Sequence, residues 1–265
     1  MSSDSTYLDE ILAAKRAELE TARPGNLSNA KLEEELAALP PCRDLWAALA
    51  EGPKPRIIAE FKRQSPSEGV LREGADPRHI AALYVDAGAA AISVLTDRHF
   101  GGSFEDLRAV RSAVSVPILC KDFILSKGQI LRARREGADA ILLIVAALQP
   151  PQLRDLLQFA LSLGLEVLAE AHDDREVDRA MAAGARIVGL NARDLHTFEV
   201  DLDRVIRHRP DVPRDSGFLY VGESGIKDRK DVQRMRAAGV DGLLIGSTLM
   251  RAEDPGVELA KLIVP

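Results

Sequence analysis

The 265-residue chain carries 35 Lys and Arg against 41 Asp and Glu, a formal net charge of −6 with the two signs interspersed. That balance gives no general attraction to nucleic acid or to an anionic membrane surface, and no apolar run approaches the roughly 18 residues that a membrane span needs. The length admits one large domain or two small ones, and single α/β barrels are often this long.

The start, Met1 to Asp9, is polar and acidic, unlike a secretory leader. Leu8, Ile11, Leu12 and Leu19 then form an apolar helical stripe, and Ser28 is placed to cap a second helix carrying Leu32, Leu36 and Leu39, which Pro40-Pro41 stops. These helices precede the strand-bearing part of the chain. They predict an N-terminal helical extension over residues 1–50, packed on a strand-bearing body of residues 51–265, one structural domain overall. The extension suits either a plug over one end of that body or a partial lid on a site, and the sequence leaves both open.

From residue 57 onward, short apolar runs alternate with helical patterns. The strand candidates are Ile57–Phe61, Ala91–Leu95, Pro117–Lys121, Ala140–Val145, Glu166–Glu170, Ile187–Asn191, Phe218–Glu223 and Gly242–Ile245. They are mostly continuous rather than alternating, as expected of parallel strands covered on both faces. Between them, Ala87-Gly88-Ala89, Glu136-Gly137-Ala138, Ala183-Gly184-Ala185 and Ala238-Gly239-Val240 each close a helix and turn the chain back into a strand. Eight such units predict a (β/α)8 barrel. A doubly wound open sheet is the alternative, but its Gly-rich fingerprint is missing after the first strand, where Lys62-Arg63-Gln64-Ser65-Pro66 stands.

In such a barrel, chemistry comes from the carboxyl ends of the strands. Glu60 and Lys62 lie two apart at the first end and so face the same side of an extended backbone. The other ends supply Lys121, Glu170, Asn191 with Arg193, and Glu223 with Ser224. A lone charge at a strand end is usually solvated or in a structural ion pair, but five strands placing ionisable or amide groups on one rim indicate an active site. Ser224-Gly225-Ile226 and Gly246-Ser247-Thr248, on adjacent strands, suit a phosphate held by backbone N–H groups. His99, His172 and His196 fall in loops on the same rim, but none has ligand spacing to a second His or Cys, and no metal site is expected. Gly222-Glu223-Ser224-Gly225 misses the nucleophile-elbow spacing by one position. Cys42 and Cys120 match no metal or redox pattern, so free thiols in a reducing, cytoplasmic setting are expected.

The run Ile58 to Ser67 resembles the first-strand signature of the indole-3-glycerol phosphate synthase family. So do Leu95-Thr96-Asp97 with Phe100-Gly101-Gly102-Ser103, Cys120-Lys121-Asp122-Phe123, Val167 to His172, Gly189 to Leu195, Val221 to Ile226, and Ile245-Gly246-Ser247. The resemblance covers the whole chain, with each motif on its expected strand and in order. It implies a carboxy-lyase of tryptophan biosynthesis that needs no cofactor. The substrate, 1-(2-carboxyphenylamino)-1-deoxyribulose 5-phosphate, is closed to indole-3-glycerol phosphate with loss of carbon dioxide and water. The resemblance implies Lys121 as general acid and Glu170 as general base, with Glu60 keeping Lys121 charged and assisting dehydration. Asn191 and Ser224 complete the catalytic set. Lys62, Ser65, Arg193 and Glu223 are implied to bind the substrate, and Gly225, Gly246 and Ser247 its phosphate. Phe100, Phe123, Leu142, Leu195 and Ile245 are implied as the apolar wall for its aromatic ring.

Ala192 and Glu68 depart from the family's usual pattern, where Asn and a basic residue are common. A monomer is implied, and contact with other enzymes of tryptophan synthesis is left open. The competing readings are another phosphate-binding barrel enzyme, such as phosphoribosylanthranilate isomerase, or a barrel that binds a ligand without catalysis. The first needs a Cys and Asp pair at the rim, whereas Cys120 adjoins Lys121 and so faces the other side of its strand. The second predicts loss of Lys121, Glu170 or Glu60, and all are present.

Overall fold

The computed structural model describes residues 7–21, 35–36, 38–65, 68–194, 199–213 and 216–263. Eight parallel strands close into a barrel: β1 (Arg56–Phe61), β2 (Ala91–Leu95), β3 (Ile118–Lys121), β4 (Ala140–Ile144), β5 (Glu166–Ala171), β6 (Ile187–Asn191), β7 (Leu219–Glu223) and β8 (Gly242–Ile245), with β8 returning to pair β1. Each predicted strand is present with its ends within one residue. A two-residue hairpin that the sequence reading did not foresee, Gln64–Ser65 against Gly69–Val70, rises from the loop after β1.

The strands are apolar on both faces because both faces are covered. Ile58, Leu119, Leu168, Val221 and Leu244 point into the barrel, whereas Ile57, Ala59, Phe61, Cys120 and Val167 point outward, under the helices. Cys120 and Lys121 therefore lie on opposite faces of β3, as their adjacency requires. The four predicted turn glycines all take positive φ, 74° at Gly239 and 98–100° at Gly88, Gly137 and Gly184. A side-chain-bearing residue would be strained there, so glycine allows each helix to stop and the next strand to begin at once.

The N-terminal segment divides between both ends of the barrel. Helix α1 (Tyr7–Thr21) lies over the carboxyl ends of the strands, with Ile11 and Leu12 buried. Helix α2 (Leu45–Ala50), capped by Asp44 accepting from the Ala47 N–H at 2.8 Å, plugs the opposite end. Leu45 and Leu49 are fully buried there and join the interior cluster with Ile58, Ala91, Ile187 and Leu219. Helix α1 thus covers the carboxyl ends of the strands and α2 fills the opposite end. The plug comes from a short segment that the sequence reading had not singled out. Of the second predicted helix, Ser28 and Leu32 lie outside the described residues; residues 35 and 36 are helical. The approach to α2 is anchored at fully buried Asp139, which accepts from the Arg43 N–H at 2.8 Å, from Ile118 N–H at 3.0 Å and from Arg111 at 2.7 Å.

Leu49 fills the barrel floor far from the rim. Leu49→Ala is expected to cost about 2–5 kcal/mol of stability through lost burial and the cavity it leaves, read from urea unfolding.

Candidate functional site

A cavity of about 440 Å³ opens at the carboxyl ends of the strands. Glu60, Lys121, Glu170, Asn191 and Glu223 reach it from the ends of β1, β3, β5, β6 and β7. Lys62, Ser65, Arg193, Phe100, Phe123, Leu142, Ile245, Ser224, Gly225, Gly246 and Ser247 also line it. Leu195 and His196 lie outside the described residues. Tyr7, Leu8 and Ile11 of α1 close one side of the cavity.

The strand register sets the polar centre. Asn191 stands opposite Glu223, and Glu170 opposite Gly189, so the side chains from three neighbouring strands converge. Lys121 Nζ lies 3.1 Å from Glu170 Oε2 and 3.7 Å from Glu223 Oε2. Asn191 donates through Nδ2 to Glu170 Oε1 at 3.3 Å, and its own Oδ1 accepts from the Arg193 N–H at 3.0 Å. On the β1 side Lys62 Nζ sits 2.6 Å from Glu60 Oε2. The direct partners of Lys121 are therefore Glu170 and Glu223. Glu60, expected to hold Lys121 charged, acts on it from a greater distance and is paired with Lys62.

Burial alone would discharge Lys121, but the carboxylates of Glu170, Glu223 and Glu60 outweigh it and hold the ammonium well above the usual lysine range. Burial pushes Glu170 up, and Lys121 with His172 outweighs that and holds the carboxyl well below the usual range. Glu223 goes the other way: burial and the nearby Glu170 charge push it up to about 8, against the pull of Lys121. Neither Glu223 oxygen has a hydrogen-bond partner among the described residues. Two carboxyls that flank one ammonium are thus driven apart in proton affinity, a pattern that marks acid–base sites.

His172 is buried behind this pair. Its Nε2 is 3.5 Å from Glu170 Oε1 and its Nδ1 is 2.9 Å from Glu176 Oε2. Burial opposes its charging, but the two carboxylates push its pKa up to about 10. His172 holds no metal position here; it stands as a cationic backing for Glu170. Among the described residues no group of three His, Cys, Asp or Glu side chains is placed to hold a metal ion.

Two glycines, Gly189 and Gly246, make room for these carboxylates. A Cβ on Gly189 would collide with Glu223 Oε1, and one on Gly246 with Glu60 Oε2. Glycine inside a strand often marks such a close approach, and Gly189 carried that signal in the sequence.

The remaining walls differ in character. Ser224 and Gly225 both adopt positive φ, 66° and 84°, and Ser224 is the only non-glycine residue to do so among the described residues. Backbone strain of this kind persists where the surroundings enforce it. Thr248 Oγ1 donates to the Ile226 carbonyl at 2.5 Å and ties the β7 and β8 loops together. Gly246 precedes helix Ser247–Arg251, whose first N–H groups lack intrahelical partners. Across the cavity the Phe100 and Phe123 rings lie 6.0 Å apart, tilted by 34°. Glu68 reaches the rim from the hairpin tip, 3.6 Å from Arg193 Nη2 and 3.0 Å from Arg251 Nη2. An acid at this departure from the family pattern therefore stands beside a cation implied to bind substrate.

The family model described as indole-3-glycerol phosphate synthase matches residues 8–262. Proteins named indole-3-glycerol phosphate synthase from Parafrankia sp., Bordetella pertussis and Mycobacterium avium are 48%, 47% and 45% identical to this chain. The alignments cover 97%, 97% and 98% of this chain and 94%, 98% and 95% of those proteins. Among solved structures, thiamine phosphate pyrophosphorylase from Pyrococcus furiosus superposes with a TM-score of 0.60 at 18% identity, covering 83% of this chain and 96% of that one. That likeness shows the barrel fold. The sequence relatives show more: the chain belongs to the indole-3-glycerol phosphate synthase family.

Proposed function

We infer that this cavity carries out the family's reaction, the decarboxylating, dehydrating closure of an indole ring on an anionic aromatic sugar phosphate. The observation that carries the reading is the Lys121 ammonium, 3.1 Å from Glu170, in one cavity with a pair of phenylalanines and a glycine–serine rim suited to phosphate. The substrate has the same three parts in the same order: an aromatic ring, a ketone and a phosphate.

The substrate spans the cavity with its ring against Phe100 and Phe123, Leu142 and Ile245, and with its phosphate at Ser224, Gly225, Gly246 and Ser247. Fixing both ends folds the linker so that the ring carbon bearing the carboxylate meets the ketone carbon, which removes most of the entropic barrier to closure. As the carbon–carbon bond forms, negative charge develops on the ketone oxygen. An ammonium with a raised pKa is a weak acid toward a ketone, but it is competent toward an oxygen becoming an alkoxide. Lys121 donates there. The carbon–carboxylate bond then breaks, its electrons restore the ring, and carbon dioxide leaves.

Dehydration needs a proton for the departing hydroxyl and a base for the proton lost from the substrate. Glu170 takes the second role. Its carboxylate is ionised in the resting site, and its basicity recovers when Lys121 turns from it to the substrate oxygen. Glu60, beside Lys62, assists departure of the hydroxyl, and Asn191 with Arg193 orients the chain. Lys62 and Arg193 also supply positive charge for an anionic substrate.

Incubation with the carboxyphenylamino deoxyribulose phosphate should produce indole fluorescence; its absence from folded protein would overturn the reading. Lys121→Ala and Glu170→Gln should each lower kcat by about 100-fold or more, the range of general acid–base catalysis, with little change in Tm. A rate near wild type in either would remove that residue from its role.

The raised pKa of Glu223 makes a separate prediction for stability. Below about pH 4.5 the carboxyl is protonated in both folded and unfolded chains. Between pH 4.5 and about 8 the unfolded chain releases a proton that the folded one keeps, so this group's contribution to stability falls as pH rises through that window and levels off above it. Glu223→Gln should therefore become progressively more stable relative to wild type from pH 5 to about pH 8, as read from urea midpoints. A constant difference across that range would contradict the buried, proton-holding state.

A further inference from the structure

One buried lysine belongs to none of the groups that meet the substrate. Lys15, on α1, has a side chain only 6% exposed, and its Nζ lies 2.5 Å from Asp97 Oδ2 and 3.0 Å from Asp122 Oδ1. Asp97 is fully buried and Asp122 nearly so. Burial works against the charge on Lys15, but Asp122 and Asp97 outweigh it, so the ammonium persists.

Each of these carboxylates also shapes a loop that carries a ring of the aromatic wall. Asp97 follows β2 and accepts through Oδ1 from the His99 N–H at 2.8 Å, starting the tight turn Arg98–Phe100 that presents Phe100. Asp122 follows β3 and accepts through Oδ1 from the Phe123 N–H at 2.7 Å, while its Oδ2 accepts from Thr96 Oγ1 at 2.8 Å. Without a cation between them the two carboxylates would repel, Asp97 left with the His99 N–H and ring nitrogen and Asp122 with Thr96 and the Phe123 N–H. The same ammonium ties α1 to these loops, and Ile11 and Leu8, one and two turns earlier on the same face, line the cavity that Phe100 and Phe123 also line.

We propose that Lys15 is a positioning residue for the aromatic half of the substrate: its ammonium joins the Asp97 and Asp122 loops and clamps α1 across them, which sets the separation of Phe100 and Phe123 and the cover above them. This rests on the reading of the cavity as the seat of an aromatic sugar phosphate. The phosphate rim, on β7 and β8, lies on the far side of β1 and takes no part in the clamp. Lys15 should therefore govern ring binding and leave phosphate binding alone.

The test uses the full-length enzyme and its Lys15→Met and Lys15→Arg variants. Steady-state kinetics with the complete substrate would be paired with binding of two fragments, anthranilate and inorganic phosphate. For Lys15→Met, KM should rise about 10-fold or more and anthranilate should weaken in step, with kcat reduced less than KM is raised. Phosphate affinity should stay within about twofold of wild type, and Lys15→Arg, which keeps the charge, should recover most of the loss. A folded Lys15→Met with KM near wild type would overturn the proposal, as would equal weakening of both fragments. Should Lys15→Met not fold, Lys15→Met combined with Asp97→Asn removes one of the stranded charges and keeps the turn's acceptor. The same rise in KM is expected there, and an unchanged KM would overturn the proposal. Failure of the functional reading itself would look different, since the wild-type enzyme would then form no indole product.

Discussion

The site depends on keeping one ammonium charged inside a barrel that is otherwise lined with aliphatic side chains. An isolated charge in such surroundings would neutralise. Lys121 escapes this chiefly through the ionised Glu170 on β5, with Glu223 on β7 adding its charge once it ionises and Glu60 further off on β1. The carboxylates face the same difficulty among themselves, and it is solved unequally. Glu170 gains Lys121, Asn191 and the backing of His172, and stays ionised. Glu223 gains no hydrogen bond among the described residues and holds its proton up to about pH 8. One ammonium thus leaves its two carboxyl neighbours with opposite proton affinities, Glu170 held low and Glu223 pushed up.

That arrangement places demands on the frame around it. The carboxylates converge only because Gly189 and Gly246 omit side chains where Glu223 and Glu60 need the space. The barrel floor must exclude water beneath the cluster, and Leu45 and Leu49 do so from α2. At the rim, α1 closes the aromatic side through Leu8 and Ile11, anchored by Lys15 in a second buried charge cluster. The two clusters are adjacent in sequence, since Lys121 ends β3 and Asp122 follows it, the first beside Glu170 and Glu223 and the second beside Lys15.

Much of this was readable from residue order. The eight strands stand out because parallel strands covered on both faces are apolar without interruption, and a polar residue at the end of each run marks the rim. The pairing of Glu60 with Lys62 follows from the two-residue period of a strand. What escaped were features set by contacts between distant segments. The hairpin at Gln64 and Gly69 is too short to leave a pattern. The plug at Leu45–Ala50 is only six residues long and is identified by what it fills. That Lys121 pairs with Glu170 and Glu223 rather than Glu60 is a matter of strand order around the barrel and side-chain reach. Lys15 did leave a trace: it falls within the stripe of Leu8, Ile11, Leu12 and Leu19, and a cation on the buried face of an amphipathic helix calls for an acidic partner.

The most direct test of the account is the protonation state of Lys121 itself, followed by NMR of its side-chain carbon and nitrogen signals, assigned by comparison with Lys121→Ala. The expected result is an ammonium that shows no deprotonation up to about pH 10, the ordinary limit for an exposed lysine. A lysine that titrated near pH 7 or 8 would show that burial, not the surrounding carboxylates, controls the site, and would contradict the central claim.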